Sequence, residues 1–281
     1  MYAAKRQGKN RFSYFTKSMQ VNAHKRMLLT QDLHSALAKQ QFHLVYQPIV
    51  NLRTSKVHKA EALIRWQHPT KGLISPADFI PIAESTGLIN PIGNWVFLKA
   101  LTQAIAWRQS IHPHFQISIN KSPVQFQQHS NKEEDNWPNY LREHNISGEC
   151  IVVEITEGLL LDSNETVSNH LLALRDAGIQ VSLDDFGTGY SSLSYLKKFD
   201  IDYIKIDQSF VQNLENDSNN MVLCQAIIVM AHKLKLKVIA EGIETQDQLN
   251  LLKFAGCDFG QGYFLSKPLI SEDFESFMAK N

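Results

Sequence analysis

The sequence predicts an α/β fold, a TIM-like (β/α)8 barrel whose first strand runs antiparallel to the rest. Short apolar runs of strand character fall at 42–50, 57–66, 115–120, 151–155, 179–183, 203–206, 237–240 and 258–263. Helical periodicity fills 92–109, 165–177, 220–235 and 246–254 between most of them. Strands alternating with helices point to parallel neighbours in a closed sheet. The exception lies between the first two runs, where only Asn51, Leu52, Arg53, Thr54, Ser55 and Lys56 intervene. A parallel crossover needs roughly a dozen residues, so these two strands must pair antiparallel. The 281 residues slightly exceed the ~250 typical of one such barrel. A long helical insert precedes the third strand, where an ordinary barrel has a single helix.

The N-terminal segment stands outside this pattern. Residues 19–40 read as an amphipathic helix, with Leu29, Leu33 and Leu37 spaced by four on one face. Before it runs a basic stretch carrying Lys5, Arg6, Lys9 and Arg11. The expected division is therefore a tail over 1–17, a linker helix over 18–41 and the barrel over 42–281.

Composition narrows the function. Basic and acidic residues number 28 each, so the formal net charge is zero. That balance argues against a DNA or RNA polymer bound on a broad basic face. It leaves room for a small anion, because a metal can supply positive charge locally. Cys150, Cys224 and Cys257 are far apart with no C-x-x-C, which predicts three reduced thiols rather than a disulfide framework or zinc knuckle. The apolar runs are too short to span a bilayer and no signal peptide is evident, so a cytoplasmic domain is expected.

The barrel's strand ends carry the chemistry. In such a fold the C-terminal strand ends converge on one mouth, where catalysis sits. The second strand carries Glu61, the third ends at Asn120, and the fourth ends at Glu154 with Glu157 beyond. The fifth ends at Asp184 and Asp185, the sixth carries Lys205 and Asp207, the seventh ends at Glu241 with Glu244 following, and the eighth holds Gln261. A lone strand-end carboxylate is usually just solvated. So many at one mouth would repel each other and raise each other's pKa unless cations were present. An oxygen set with one Asn amide suits Mg²⁺ or Mn²⁺ better than zinc. Adjacent Asp184 and Asp185 could serve two ions about 3.5–4 Å apart, as in two-metal phosphoryl chemistry. Lys205 would hold or help deprotonate the attacking water. The histidines, among them His43, His58, His68, His112 and His114, show no ligand spacing tied to a strand end and read as structural. The loop Phe186-Gly187-Thr188-Gly189-Tyr190-Ser191-Ser192 follows the two aspartates, and Glu157 could anchor it by accepting hydrogen bonds.

Taken together the motifs resemble a family. Glu61-Ala62-Leu63-Ile64-Arg65-Trp66 resembles the signature of the EAL-domain cyclic di-GMP phosphodiesterases. The likeness continues through Tyr46-Gln47-Pro48-Ile49, Asn120-Lys121-Ser122, Glu154-Ile155-Thr156-Glu157 and Asp184-Asp185-Phe186-Gly187-Thr188-Gly189. Lys205-Ile206-Asp207, Glu241-Gly242-Ile243-Glu244-Thr245 and Gln261-Gly262-Tyr263 complete it. The resemblance implies that Glu61, Asn120, Glu154 and Asp184 hold one metal, and that Asp184 bridges to a second held also by Asp185 and, directly or through water, by Glu241. It further implies that Lys205 contacts the attacking water, that Glu157 steadies the loop after the fifth strand, and that Gln47, Leu63, Arg65, Asp207 and Gln261 line the cyclic dinucleotide. The product would be linear pGpG. Departures are small: Gly158 stands where a hydroxyl residue is commoner, and Ile243 where Val is. The tail from Met1 to Phe15 resembles the end of a GGDEF domain, which implies an upstream cyclase domain in a longer parent and leaves membrane anchoring of that parent open. Family resemblance also implies a homodimer through the region after the fifth strand, 191–196. The competing reading is a catalytically silent cyclic di-GMP receptor that signals through a protein partner.

Overall fold

The computed structural model describes residues 17–127, 137–161, 164–189, 196, 199–215 and 218–280. Its strands are β1 (Phe42–Asn51), β2 (Val57–His68), β3 (Gly72–Ile74), β4 (Gln116–Asn120), β5 (Ile151–Thr156), β6 (Gln180–Phe186), β7 (Tyr203–Ile206), β8 (Lys237–Ala240) and β9 (Phe259–Gly260). β1 pairs antiparallel with both β2 and β9 and closes the ring, while β2, β4, β5, β6, β7, β8 and β9 follow one another in parallel. The β1–β2 turn is tied by Asn51 Oδ1, which accepts from the N–H groups of Arg53 and Thr54 at 3.1 and 2.9 Å.

Two details depart from the expected strand list. β3 is an unforeseen short strand that pairs antiparallel with β2 outside the ring. The last strand shortens from the expected 258–263 to Phe259–Gly260. After Gly260 the chain swings onto the loop following β8: Ile243 N–H donates to the Gln261 carbonyl at 3.1 Å. Gly262 packs so closely there that a Cβ would lie 2.1 Å from the Ile243 carbonyl oxygen.

The helices are α1 (Lys17–Ala36), α2 (Pro76–Thr86), α3 (Ile89–Ser110), α4 (Val124–Gln127), α5 (Trp137–Glu143), α6 (Glu157–Leu161), α7 (Glu165–Asp176), α8 (Gln208–Val211), α9 (Asn219–Lys233), α10 (Gln246–Phe254) and α11 (Ser271–Lys280). The insert before β4 is thus two helices. Ser75 caps α2 ahead of Pro76, and Gly87, at φ 78°, ends it in the left-handed region. α10 opens on a full capping box, Thr245 with Gln248. No helix among the described residues is long and apolar enough to cross a membrane.

The main core lies between strands and helices, and α1 contributes Leu29, Leu33 and Ala36 to it. The expected linker helix is therefore docked on the barrel wall, ending at Ala36, with Leu37 only partly buried. An ionic clamp fastens it. Asp32 meets His68 Nε2 at 3.3 Å and Lys71 Nζ at 2.5 Å. His68 Nδ1 accepts from the N–H groups of Thr70 and Lys71, which makes this histidine structural, as expected. Residues 1–16 lie outside the described ones.

Inside the ring a separate apolar layer, Ile49, Val152, Tyr203 and Ile239 with Phe259 against it, seals the barrel. Below it Lys59 donates to the Gln116 side chain and, at 2.6 Å, to the Tyr203 hydroxyl, with its ammonium over the Tyr203 ring. Burial pushes Lys59 down to about 7. Cys150, Cys224 and Cys257 are free and buried, and burial raises the thiols of Cys224 and Cys257 to about 11 and 12.

Candidate active site

Side chains alternate across a strand, so inward residues come in steps of two. On β4 these are Gln116, Ser118 and Asn120; on β6 they are Gln180, Ser182 and Asp184. Ser118 and Ser182 are buried, one inward step before Asn120 and Asp184. Strand patterning alone does not single them out. The available signal was a hydroxyl two residues before Asn120 and Asp184 in otherwise apolar runs.

One placement differs from the expected strands: Gln261 follows β9 rather than lying in it. Glu61 lies within β2, as expected, and β2 continues beyond it to pair with β1 and β3. Lys205, also as expected, is carried by β7 as the third of its four residues. Each still reaches the same region. Asp184 and Asp185 are consecutive and should face opposite ways. The β6–β7 register shifts between Leu183 and Phe186, and Asp185 takes φ 55°, a left-handed value uncommon for a residue with a Cβ. This bulge brings ligand oxygens of Asp184, Asp185 and Glu241 within 4.8 Å of one another. Strained backbone of this kind concentrates at functional sites.

Lys205 is the electrostatic centre. It is 1% exposed, and its Nζ lies 2.6 Å from Glu241, 2.7 Å from Glu154, 3.2 Å from Asp184 and 3.6 Å from Glu61. Burial works against its charge, but the surrounding carboxylates outweigh that and hold its pKa well above the usual lysine value. One ammonium does not neutralise so many acids. Burial, with Glu61 nearby, holds Glu154 well above the carboxylate range, and burial raises Glu241 to about 7. Burial and Asp184 also raise Asp185. Glu61 is held low in spite of its burial, by Lys205 and by amide hydrogen bonds from Gln261 and Asn120. Glu154 Oε1 is buried and meets no donor. A cluster short of positive charge, rich in hard oxygen donors and holding an orphaned carboxylate oxygen fits divalent cations.

Gln47, Glu61, Leu63, Asp184, Lys205, Glu241 and Gln261 line one cavity of about 450 Å³, together with Glu244, expected at this rim, and Tyr263, which the strand-end pattern does not mark. Leu63 is shared with a largely apolar cavity of about 310 Å³, whose walls include Arg65, Asn120 and Glu154. Asp207 lies apart from both linings. Its Oδ1 caps α8, accepting from Ser209 N–H at 3.0 Å and from the Ser209 hydroxyl. Glu157 is buried at the start of α6, and Gly189 packs against it so tightly that a Cβ would lie 3.3 Å from its carboxylate. Residues 190–195 of the loop, and with them most of the expected dimer segment, lie outside the described residues.

Known proteins resemble this chain in sequence and fold. The family model described as EAL domain matches residues 30–268. The chain belongs to the EAL family. This EAL domain is 39% identical over 272 residues to MucR of Pseudomonas aeruginosa, a bifunctional diguanylate cyclase/cyclic di-GMP phosphodiesterase, covering 97% of the chain and 39% of MucR. It is 35% identical over 278 residues to the cyclic di-GMP phosphodiesterase NbdA of the same organism, covering 99% of the chain and 35% of NbdA. The EAL domain thus spans well under half the length of these curated relatives. A solved structure of the MucR phosphodiesterase in complex with c-di-GMP matches with a TM-score of 0.82 at 38% identity, covering 88% of this chain and 99% of that one. The closed mixed barrel read from the sequence is the fold that this solved structure shares.

Proposed function

We propose that this domain hydrolyses cyclic di-GMP to linear pGpG with two divalent ions, Mg²⁺ or Mn²⁺. The observation that carries the reading is the carboxylate cluster gathered around Lys205 at the barrel mouth, complete in a member of this family. Glu61, Asn120, Glu154 and Asp184 would hold one ion, and Asp184, Asp185 and Glu241 the other. Bound ions would polarise the phosphodiester and make an attacking water more acidic. Lys205, the buried cation among these acids, would orient that water. Arg65 offsets the charge of a dianionic substrate on an otherwise neutral chain. Gln47, Leu63 and Gln261 border the space the dinucleotide would enter. Asp207 would contribute through its second carboxylate oxygen, since the first is committed to its helix. Glu157, packed on Gly189, would steady the loop that begins at Asp185.

We also propose that the domain works in a longer chain behind a GGDEF cyclase domain, and as a homodimer through the region after β6. The bifunctional name of MucR and the partial coverage of the relatives support the first of these.

The test is turnover of cyclic di-GMP. Mg²⁺ or Mn²⁺ should support conversion to pGpG, excess EDTA should abolish it, and Ca²⁺ should inhibit because its coordination is longer and looser. Full turnover in EDTA would overturn the two-ion reading. Tight cyclic di-GMP binding without turnover in either metal would show a receptor instead.

A further inference from the structure

Glu61 is gripped at both oxygens by neutral amides. Asn120 Nδ2 donates to Oε1 and Gln261 Nε2 to Oε2, each at 2.7 Å. The Gln261 Nε2 group also donates to Gln47 Oε1 at 2.9 Å, and Gln47 Nε2 donates to the Ser266 carbonyl at 3.1 Å. Gln47 and Gln261 are both buried. The two ends of this chain fix the orientation of each amide within it. A main-chain carbonyl only accepts, so Gln47 must turn its NH₂ toward Ser266 and its oxygen toward Gln261. Gln261 must then turn its NH₂ toward Gln47, and the same NH₂ meets an ionised carboxylate, which also only accepts. Flipping either amide would set acceptor against acceptor. Both hydrogens of the Gln261 amide are thereby spent on protein groups.

We propose that Gln261 and Gln47 are positioning residues, an amide relay anchored on the Ser266 carbonyl that aims the Glu61 carboxylate at a divalent ion. The proposal rests on the two-ion reading above. It gives a task that needs no substrate to two residues whose family resemblance implies substrate contact. The physical need is plain: Glu61 shares its surroundings with Glu154 and Asp184, and Lys205 is 3.6 Å away. Without the relay, repulsion from the acids and attraction to the ammonium would choose the carboxylate's orientation.

The experiment is a Mn²⁺ titration of substrate-free protein by calorimetry, with cyclic di-GMP turnover of the wild type measured alongside. Gln261→Met keeps length and volume but no donor, and should weaken Mn²⁺ binding by about 10–100-fold, the range for groups that orient metal ligands. Gln47→Met should weaken it less, and should add nothing when Gln261→Met is already present. Should Gln261→Met fail to fold, the loss in Gln47→Met alone decides. A wild type that binds Mn²⁺ and turns over cyclic di-GMP, with both variants unchanged in Mn²⁺ affinity, would overturn the relay and leave the proposed function standing. Additive losses in the double variant would also overturn it, because they mean independent contacts. A wild type that neither binds Mn²⁺ nor turns over cyclic di-GMP would overturn both readings.

Discussion

At Lys205 the protein has buried an ammonium group among Glu61, Glu154, Asp184 and Glu241. Its positive charge is what lets those acids sit together when no ion is bound. Breaking a buried charge pair by removing one partner is strongly destabilising, because the remaining charge is left uncompensated. Lys205→Met should therefore cost the ion-free protein about 3–5 kcal/mol, and added Mg²⁺ should raise the melting temperature of the variant more than that of the wild type. Turnover should fall further than substrate affinity, since the proposed partner of Lys205 is water. Thermal melts with EDTA and with Mg²⁺ check the first part. Equal ion-free melting of variant and wild type would show that the acids had simply taken up protons.

At the scale of the element, what matters is how strands end. β6 reaches the mouth through a bulge at Asp184 and Asp185, and that irregularity makes two neighbours usable on one face. At the floor the strand starts are tied instead. Asp258 accepts from Val238 N–H at 3.0 Å, from Lys237 Nζ at 2.8 Å, and pairs with His232 at 2.8 Å. Partial burial opposes its charge, but the hydrogen bonds from Lys237 and His232 prevail and hold it below the ordinary value of 3.8. A carboxyl whose folded pKa is depressed adds stability above its unfolded pKa and loses it as pH falls through the folded value. Asp258→Asn should thus lower stability at pH 7 by roughly 1.5 kcal/mol, the low end for charged hydrogen bonds because Lys237 and His232 are partly exposed. The gap from wild type should close as the pH falls below about 3.8. Denaturant melts at pH 7 and pH 3 measure this, and a gap independent of pH would assign the loss to something other than charge.

For the whole molecule, α1 belongs to the barrel's core although it precedes the first strand. Leu33 is 2% exposed and sits with Leu29 and Ala36 in the main cluster. Leu33→Ala should cost about 2–5 kcal/mol, as for other buried leucines. The Asp32 clamp to His68 and Lys71 joins the same helix to the β2–β3 end, so a push on α1 would reach the strand that carries Glu61. A change under 0.5 kcal/mol in a chemical melt of Leu33→Ala would mean that α1 is only loosely docked.

The alternation of strand and helix, the antiparallel opening pair and the set of acids were legible in the sequence because they follow from local patterning. The six residues between β1 and β2 are too few for a crossover, and runs such as Ile151–Thr156 have strand character whatever surrounds them. Motif order also marked Glu61, Asn120, Glu154, Asp184, Asp185, Lys205 and Glu241 as one site. Long-range packing decided the rest. Only the closed ring puts Lys205 between acids from four other strands or strand ends, and only a bulge lets Asp184 and Asp185 share a face. Whether 17–36 is a free linker or a docked helix depends on a partner surface formed by residues distant in the chain, such as Phe79 and Ile82 on α2. The same holds for Gln47 and Gln261, which meet only because β1 closes the ring beside β9, 214 residues along the chain. Patterning is set by neighbours a few residues away, whereas the orientation of an amide or a carboxylate is set by whatever the closed barrel brings against it.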